Sequence, residues 1–161
     1  MLYLFIAVAC VVADQLTKIY LYGKQMSLIG DFLWLKNVEL NYGAGWSMFS
    51  GARWFFIIIS FIIAGVIIFL LFEKKHFNSK FFKVTLGILL GGLVGNLIDR
   101  LFMGGVRDFL AFNFFDFPVF NVADIAITVA TVMLVIYIIF LHDKKDKTKE
   151  QQYNGKNSDS K

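Results

Sequence analysis

Cysteine, proline and charge are scarce in this chain of 161 residues. Its single cysteine, Cys10, excludes an intramolecular disulfide. Charged residues make up only 17% of the sequence, whereas 58% is hydrophobic and 19 residues are Phe. Together with a mean hydropathy of +0.66, this composition excludes an ordinary soluble domain. The length is that of one domain.

Four apolar runs are each long enough to cross a bilayer, which requires about 20 mostly apolar residues. They cover approximately residues 2–22, 54–72, 83–102 and 121–141. We therefore predict an α-helical polytopic membrane protein whose single domain occupies residues 1–143 and whose longer connections are 23–53 and 103–120. The lysine-rich tail, residues 144–161, is predicted to be disordered.

Basic residues indicate the orientation of these spans. Ten of the sixteen Lys and Arg residues lie in the connection 73–83 and in the tail, two segments on the same side of the predicted topology. Cytoplasmic segments carry an excess of Lys and Arg. Both termini are therefore expected in the cytoplasm, and the two longer connections on the outer face. The net charge of +4 reflects topology and indicates no nucleic-acid partner.

Polar residues gather near the predicted outer ends of three spans, where each ionisable group is costly and suggests a function. At helical spacing, one face of each span presents such residues: Asp14 and Lys18 in the first, Asn96, Asp99 and Arg100 in the third, and Asn121 and Asp124 in the fourth. The structural alternative is that Asp14 pairs with Lys18 and Asp99 with Arg100. The third span also carries Gly87, Gly91 and Gly95, a stripe that favours close helix packing.

The connection 23–53 is too long for a simple turn. Residues 31–42 are rich in Phe, Leu, Trp, Val and Tyr and follow Gly30, which predicts two short strands there. The segment that contains Asn41 and Gly43 is rich in small residues. Glycines let a backbone approach a ligand closely. The alternative is a loop that returns to the membrane with Trp46 at the interface.

Asp108 and Asp124 are 16 residues apart, and both are expected near the outer surface. Two carboxylates held close together cannot both ionise, so such a pair shares one proton. The ionised member can then take a proton from water while the other donates to a carbonyl and later to a leaving amine. The pair is predicted to cut a peptide bond without a metal or a cofactor. Because it titrates as a unit, neither member receives a fixed role.

Other mechanisms fit the residue inventory less well. His76 and His142 lie on the predicted cytoplasmic side, which disfavours a zinc or a serine protease. A proton or ion transporter is the stronger competitor, because carboxylates in membranes often act as relays. Against it, the charges gather near one face, and no inverted repeat of broken helices is visible. A metal-dependent membrane hydrolase is the third possibility, with a site built from the carboxylates Asp14, Asp99, Asp108 and Asp124.

Five motifs in this chain together resemble those of bacterial lipoprotein signal peptidases (signal peptidase II). In order, they are Asp14-Gln15-Leu16-Thr17-Lys18, Asn41-Tyr42-Gly43-Ala44, Gly95-Asn96-Leu97-Ile98-Asp99-Arg100, Val106-Arg107-Asp108-Phe109 and Phe117-Pro118-Val119-Phe120-Asn121-Val122-Ala123-Asp124. The resemblance covers about residues 2–141.

This resemblance implies an aspartic endopeptidase of the bacterial cell (inner) membrane. Its implied substrates are prolipoproteins that carry diacylglycerol on a cysteine, and cleavage falls on the amino side of that cysteine. The resemblance implies that Asp108 and Asp124 are catalytic, and that segment 23–53 forms a small extracytoplasmic sheet, a cradle for the substrate. Implied supporting residues are Asp14, Asn41, Gly43, Asn96, Arg100 and Asn121, to which their helix faces add Lys18 and Asp99.

The resemblance further implies inhibition by the cyclic lipopeptide globomycin. We expect a monomer, because one chain supplies the whole site, and we expect membrane lipids and lipid-modified prolipoproteins as the partners. Five aromatic side chains are predicted to offer apolar surface to the acyl chains of the substrate: Trp46, Phe109, Phe112, Phe114 and Phe115.

Overall fold

The computed structural model describes residues 1–37, 40–43, 51–73 and 79–141. Its helices are α1 (Leu2–Leu21), α2 (Arg53–Phe72), α3 (Lys80–Phe102) and α4 (Val122–Ile136), the last of which continues as a π-helix over Tyr137–Leu141. Four spans, Leu2–Leu21, Arg53–Phe72, Lys80–Phe102 and Val122–Phe140, are long and apolar enough to cross a membrane. The predicted four-span architecture is confirmed. α3 begins three residues before its predicted start, so Lys80 and Lys83 lie in its first turn.

Helix α3 is the central helix of the bundle. It contacts α1, α2 and α4. More than half of its span (56%) is buried, against 17–22% of each of the others. The exposed faces of the outer helices are covered with large apolar side chains such as Phe5, Ile58 and Val132, as is typical of surfaces that meet lipid tails.

The glycine stripe of α3 brings α1 into backbone contact. A Cβ atom built on Gly91 would lie 2.5 Å from Cβ of Cys10 and 2.7 Å from the carbonyl oxygen of Ala7. One built on Gly87 would collide with the carbonyl oxygen of Tyr3. The close packing predicted from the stripe is therefore confirmed. It determines how near the polar residues of α1 and α3 lie to one another.

Replacing Gly91 by Ala is expected to destabilise the protein by roughly 1–3 kcal/mol, because the added methyl group must push α1 and α3 apart. The thermal midpoint in detergent should fall by several degrees. Gly65→Ala is the matched control, since no atom lies within 4 Å of its Cβ position in α2. An equal midpoint for the two variants would contradict the packing argument.

A small antiparallel sheet joins the α1–α2 and α3–α4 connections, which are predicted to lie on the outer face and are called the outer segments below. Its strands are β1 (Met26–Ile29), β2 (Leu33–Leu35) and β3 (Leu110–Phe112), in the order β1-β2-β3. Leu35 pairs with Met26 on one side and with Leu110 on the other. Two short strands form in this connection, but they do not both lie within residues 31–42 as predicted. Of the described residues in that range, only Leu33–Leu35 form a strand. β1 comes earlier because the turn between β1 and β2 is built at Gly30, whose φ of 45° suits glycine.

The sheet is anchored to the helices by a small buried cluster. Leu35 and Phe109 are completely buried, and Leu21 and Val122, at the ends of α1 and α4, pack against the cluster. Phe109 therefore has no surface to offer a ligand, and its predicted acyl-chain contact was wrong. Phe114 and Phe115 are exposed, whereas Trp46 lies outside the described residues.

Candidate active site

Asp108 lies between α3 and β3, in the segment that approaches residues 40–43. Val106 and Asn41 exchange two backbone hydrogen bonds of 2.9 and 2.8 Å, and this bridge fixes the segment two residues before the carboxylate. The side chain of Asn41 then donates from Nδ2 to Oδ2 of Asp108 at 2.9 Å. The other carboxylate oxygen, Oδ1, accepts from Nδ2 of Asn121 at 2.6 Å. Asp108 is thus held from both outer segments.

Asp124 lies in the first turn of α4 and forms a capping box with Asn121. Oδ1 of Asn121 accepts from the backbone N–H of Asp124 at 3.0 Å, and Oδ2 of Asp124 accepts from the backbone N–H of Asn121 at 3.1 Å. This pairing satisfies two donors that a helix start leaves free. The remaining oxygen, Oδ1, accepts from Nδ2 of Asn96 at 2.7 Å. Sequence analysis missed the capping box, although Asn three residues before Asp is its signal.

The two carboxylates are joined through two amide side chains. Nδ2 of Asn121 donates to Asp108 and also to Oδ1 of Asn96 at 3.1 Å, and Asn96 in turn donates to Asp124. Each of the four carboxylate oxygens accepts a hydrogen bond. Both aspartates line a single cavity of about 300 Å³, to which Arg100 also contributes.

Asp108 is almost completely buried, with 3% of its surface exposed. Burial raises the pKa of Asp108 from its ordinary value of 3.8 to about 6, and the nearby charge of Asp124 acts in the same direction. The hydrogen bonds from Asn41 and Asn121 oppose this rise in pKa because they favour the charged form. Asp108 is therefore a carboxyl group that exchanges its proton near neutral pH.

The raised pKa of Asp108 predicts a stability that depends on pH. The folded protein holds this proton more tightly than the unfolded chain, so the contribution is fully present below about pH 4 and is lost as the pH rises through about 6. The difference corresponds to roughly 3 kcal/mol. We expect the thermal midpoint of Asp108→Asn to rise relative to wild type between pH 4 and pH 7 and to level off above that.

Asp116→Asn is the matched control for this titration, because Asp116 is an exposed carboxylate in the same outer segment. Because the Asp116 carboxylate is not buried, Asp116→Asn should not reproduce the rise in midpoint that is expected of Asp108→Asn. If the difference in thermal midpoint between Asp108→Asn and wild type does not change with pH, Asp108 is not the buried, titrating carboxyl group described here.

A buried ionic cluster lies behind the amide side chains. Asp14, Lys18 and Asp99 have at most 1% of their surface exposed. Nζ of Lys18 lies 2.9 Å from Oδ2 of Asp14 and 3.2 Å from Oδ2 of Asp99. Asp99 also binds Arg107, whose Nη2 is 2.7 Å from Oδ1. Gln15 donates to Asp14 and Asp99 and accepts from Arg107. Two carboxylates thus balance two cations.

This ionic cluster also contacts the first turn of α4, which carries Asp124. Oδ1 of Asp14 accepts from the backbone N–H of Ala123 at 2.9 Å, which ties α1 to the first turn of α4. Nζ of Lys18 donates to Oδ1 of Asn96 at 3.0 Å. The predicted pairing of Asp14 with Lys18 is confirmed.

The alternative in which Asp99 pairs with Arg100 is not what the structure has. In the part of the chain that the structure describes, the salt bridges of Asp99 are with Lys18 and Arg107. Adjacent residues on a helix point in different directions, and Arg100 faces the cavity instead. Its guanidinium donates to the carbonyl oxygen of Gly43 at 3.2 Å and lies over the ring of Phe56. Gly43 is held by Asn41, whose Oδ1 accepts from its backbone N–H at 3.0 Å.

Sequence analysis missed Arg107 and Gln15 as site residues. Both lie inside motifs that it singled out, next to Asp108 and Asp14 respectively. The available signal was the imbalance of charge near the outer ends of the spans, where Asp14 and Asp99 together require more than Lys18 alone.

The carboxylates that a metal site would need are not gathered at one point. Asp14 and Asp99 face Lys18, whereas Asp108 and Asp124 face the cavity on the other side of Asn96 and Asn121. No group of three His, Cys, Asp or Glu side chains in residues 1–37, 40–43, 51–73 and 79–141 is arranged to hold a metal ion. His76 and His142 fall outside these ranges.

Residues 6–140 match the family model described as signal peptidase (SPase) II. A lipoprotein signal peptidase of Latilactobacillus sakei subsp. sakei strain 23K is 37% identical over 123 residues, which cover 73% of this chain and 80% of that protein. One from Lactobacillus johnsonii is 38% identical over 121 residues, or 72% and 77% of the two chains. A solved bacterial membrane enzyme superposes with a TM-score of 0.78 and 34% identity, covering 85% of this chain and 87% of that chain.

Proposed function

Because this chain belongs to the lipoprotein signal peptidase (signal peptidase II) family, we propose that Asp108 and Asp124 are the aspartic dyad with which it works. The protein is a peptidase that crosses a bacterial membrane four times and removes signal peptides from prolipoproteins. Ion transport and metal-dependent hydrolysis, the alternatives that the sequence left open, receive no support from these relatives.

The observation that carries the proposal is the shared cavity of the two carboxylates. Asp108 and Asp124 both line it and are linked through Asn121 and Asn96. Burial and the neighbouring charge raise the pKa of Asp108 to about 6, so close to that pH the pair carries one shared proton. That protonation state is the one an aspartic peptidase uses.

Cleavage follows from this arrangement. The ionised member of the pair removes a proton from a water molecule, whose oxygen attacks the carbonyl carbon of the scissile peptide bond. The protonated member donates its proton to the carbonyl oxygen. When the tetrahedral intermediate collapses, the C–N bond breaks and the proton taken from water passes to the leaving amine. One hydroxyl of the intermediate returns its proton to the dyad as the new carboxyl group forms, which restores the starting state. Arg100 and Asn41, at the rim of the cavity, hold the substrate backbone.

The substrate class that suits this cavity is a prolipoprotein with diacylglycerol on the cysteine after the cleaved bond. A second cavity of about 290 Å³ shares Phe117, Phe120 and Asp124 with the first. It continues along α4 past Ile125 and Val129, and its lining is almost entirely apolar. An acyl chain that enters it reaches the lipid-facing surface of α4 while the peptide bond stays at the dyad.

The proposal includes the placement of the protein in the membrane. The dyad lies near the outer face, both termini are cytoplasmic, and residues 1–143 act as one domain and as a monomer. The basic tail, residues 144–161, lies outside the described residues and remains a predicted disordered segment. Globomycin, which inhibits the family that the motifs resemble, should inhibit this chain.

The test is cleavage of a diacylglyceryl-modified prolipoprotein by the purified protein in detergent. We expect cleavage of the modified substrate, inhibition by globomycin, and little or no cleavage of the same precursor without its lipid. Equal cleavage rates for the modified and the unmodified precursor would contradict the proposed requirement for a lipid-modified substrate. Activity retained in Asp108→Asn, or activity lost in a chelator, would contradict the aspartic mechanism.

A further inference from the structure

The ammonium group of Lys18 is a buried cation one amide away from the dyad, and none of its contacts is with Asp108 or Asp124. It is 1% exposed, and it is held by Asp14 on its own helix and by Asp99 on α3. Its third contact is Oδ1 of Asn96 at 3.0 Å. A buried cation with two anionic partners has a structural purpose. The contact with a neutral amide beside the dyad needs a further explanation.

That contact determines which way the Asn96 amide points. An ammonium group can only donate, so Lys18 requires the carbonyl oxygen of the amide, and Asn121 donates to the same oxygen at 3.1 Å. The NH₂ group of Asn96 must then face Oδ1 of Asp124, at 2.7 Å. The orientation of Asn121 is fixed separately, because its Oδ1 accepts from the backbone N–H of Asp124.

The two carboxylates are therefore not equivalent with respect to Lys18. One amide, Asn96, connects Lys18 to Asp124, whereas two amides, Asn96 and Asn121, connect it to Asp108. A cation that polarises an amide strengthens the donor at its other end. A stronger donor favours the ionised form of the carboxylate that accepts from it.

Resting on the proposed function, we infer that Lys18 is a positioning residue that acts through Asn96 to keep Asp124 ionised. Asp124 then takes the proton from water, and Asp108 holds the shared proton and donates it to the scissile carbonyl. The proton transfers are those of the cleavage described above, and Lys18 sets their direction.

The other charges near the dyad are consistent with this direction. Arg100 lines the cavity with both aspartates, and Asp14 is an anion paired with Lys18, so neither of them imposes the same preference. Arg107 lies on the far side of Asp99. Burial and then the negative charge of Asp124 raise the pKa of Asp108, and the charge of Lys18 opposes that rise.

The experiment measures the pH profile of kcat/KM in a charge-balanced background. Asp14→Asn with Lys18→Met removes one anion and one cation together and leaves the Asp99–Arg107 pair in place. The acid limb is the low-pH side of the profile, where kcat/KM falls as the general base becomes protonated. In the double variant it should lie about one pH unit higher than in Asp14→Asn alone, because the cation that favours the ionised base is gone. At a pH on the wild-type acid limb, this is about a tenfold loss of kcat/KM.

Asn96→Ala supplies the second variant, because it interrupts the connection without unbalancing the buried charges. It should move the acid limb in the same direction, and adding Lys18→Met to it should then move the limb little further. Rates that fall at every pH while the limb stays in place would show that Lys18 is merely structural. If Lys18 variants do not fold, an unmoved limb in Asn96→Ala overturns the inference on its own.

The proposed function fails in a different way from this inference. If Asp108→Asn and Asp124→Asn still cleave, the dyad itself is wrong. If both variants are inactive but the acid limb stays at the same pH in the Lys18 and Asn96 variants, the dyad is supported. Only the claim that Lys18 sets the direction of proton transfer is then wrong.

Discussion

Asp108→Asn and Asp124→Asn are each expected to lower kcat/KM for a diacylglyceryl-modified prolipoprotein on the order of a thousandfold or more. Loss of a positioned general acid or base costs about 10²–10⁴-fold, and in a dyad either loss removes the shared proton. An amide can neither take the proton of water nor donate one of its own in exchange. The loss should appear in kcat, since the roles proposed for both residues are at the reacting atoms.

An amide at position 108 also changes the hydrogen bonds of the site. Asp108 accepts from Asn41 at one oxygen and from Asn121 at the other. An Asn side chain keeps one acceptor and turns an NH₂ group toward the other donor, so one of these bonds is lost. The variant remains folded because the loss is local, and its thermal midpoint should be measured beside its activity.

Asp116→Asn is the matched control for the activity measurement. Asp116 lies in the same outer segment as Asp108 but is exposed, so its replacement should leave kcat/KM within about twofold of wild type. Either catalytic variant retaining a tenth of wild-type activity at an unchanged midpoint would contradict the dyad. Activity lost in Asp116→Asn as well would point to a general effect of charge in that segment.

The spans and the placement of the polar residues were predictable because both depend on local sequence. A helix that crosses lipid needs a run of apolar residues whatever its neighbours are. The spacing of Asn96 and Asp99, or of Asn121 and Asp124, places each pair on one helix face. The proximity of α1 and α3 followed from Gly87, Gly91 and Gly95, since small residues in lipid-spanning helices mark a close contact.

The partners of the buried charges were not predictable in the same way. Asp99 binds Arg107 across the turn that follows α3, and Arg100 turns to the cavity, although Arg100 is its neighbour in sequence. Which cation reaches a carboxylate depends on how the chain folds after the helix. The sheet illustrates the same point, because β2 pairs with β3, a strand contributed by the second outer segment, and strands of three or four residues carry little periodic signal.

Asp99→Asn is expected to cause the largest loss of stability among single changes in the ionic cluster, roughly 3–5 kcal/mol. Asp99 is completely buried and binds both Lys18 and Arg107. Its neutralisation leaves two buried cations with Asp14 as their only carboxylate in the cluster, and breaking a buried pair from one side costs about this amount. The thermal midpoint in detergent should fall far below that of Asp31→Asn, which neutralises an exposed carboxylate.

A second change distinguishes charge imbalance from loss of shape. In Asp99→Asn with Arg107→Gln, Asp14 and Lys18 remain as a balanced pair at 2.9 Å, while two neutral side chains of similar size replace the other pair. Since balanced removal of a buried ion pair is often close to neutral, the double variant should recover much of the lost midpoint. A double variant less stable than Asp99→Asn would contradict the charge argument. The guanidinium of Arg107 would then stabilise the protein mainly through its hydrogen bond to Gln15 (2.8 Å).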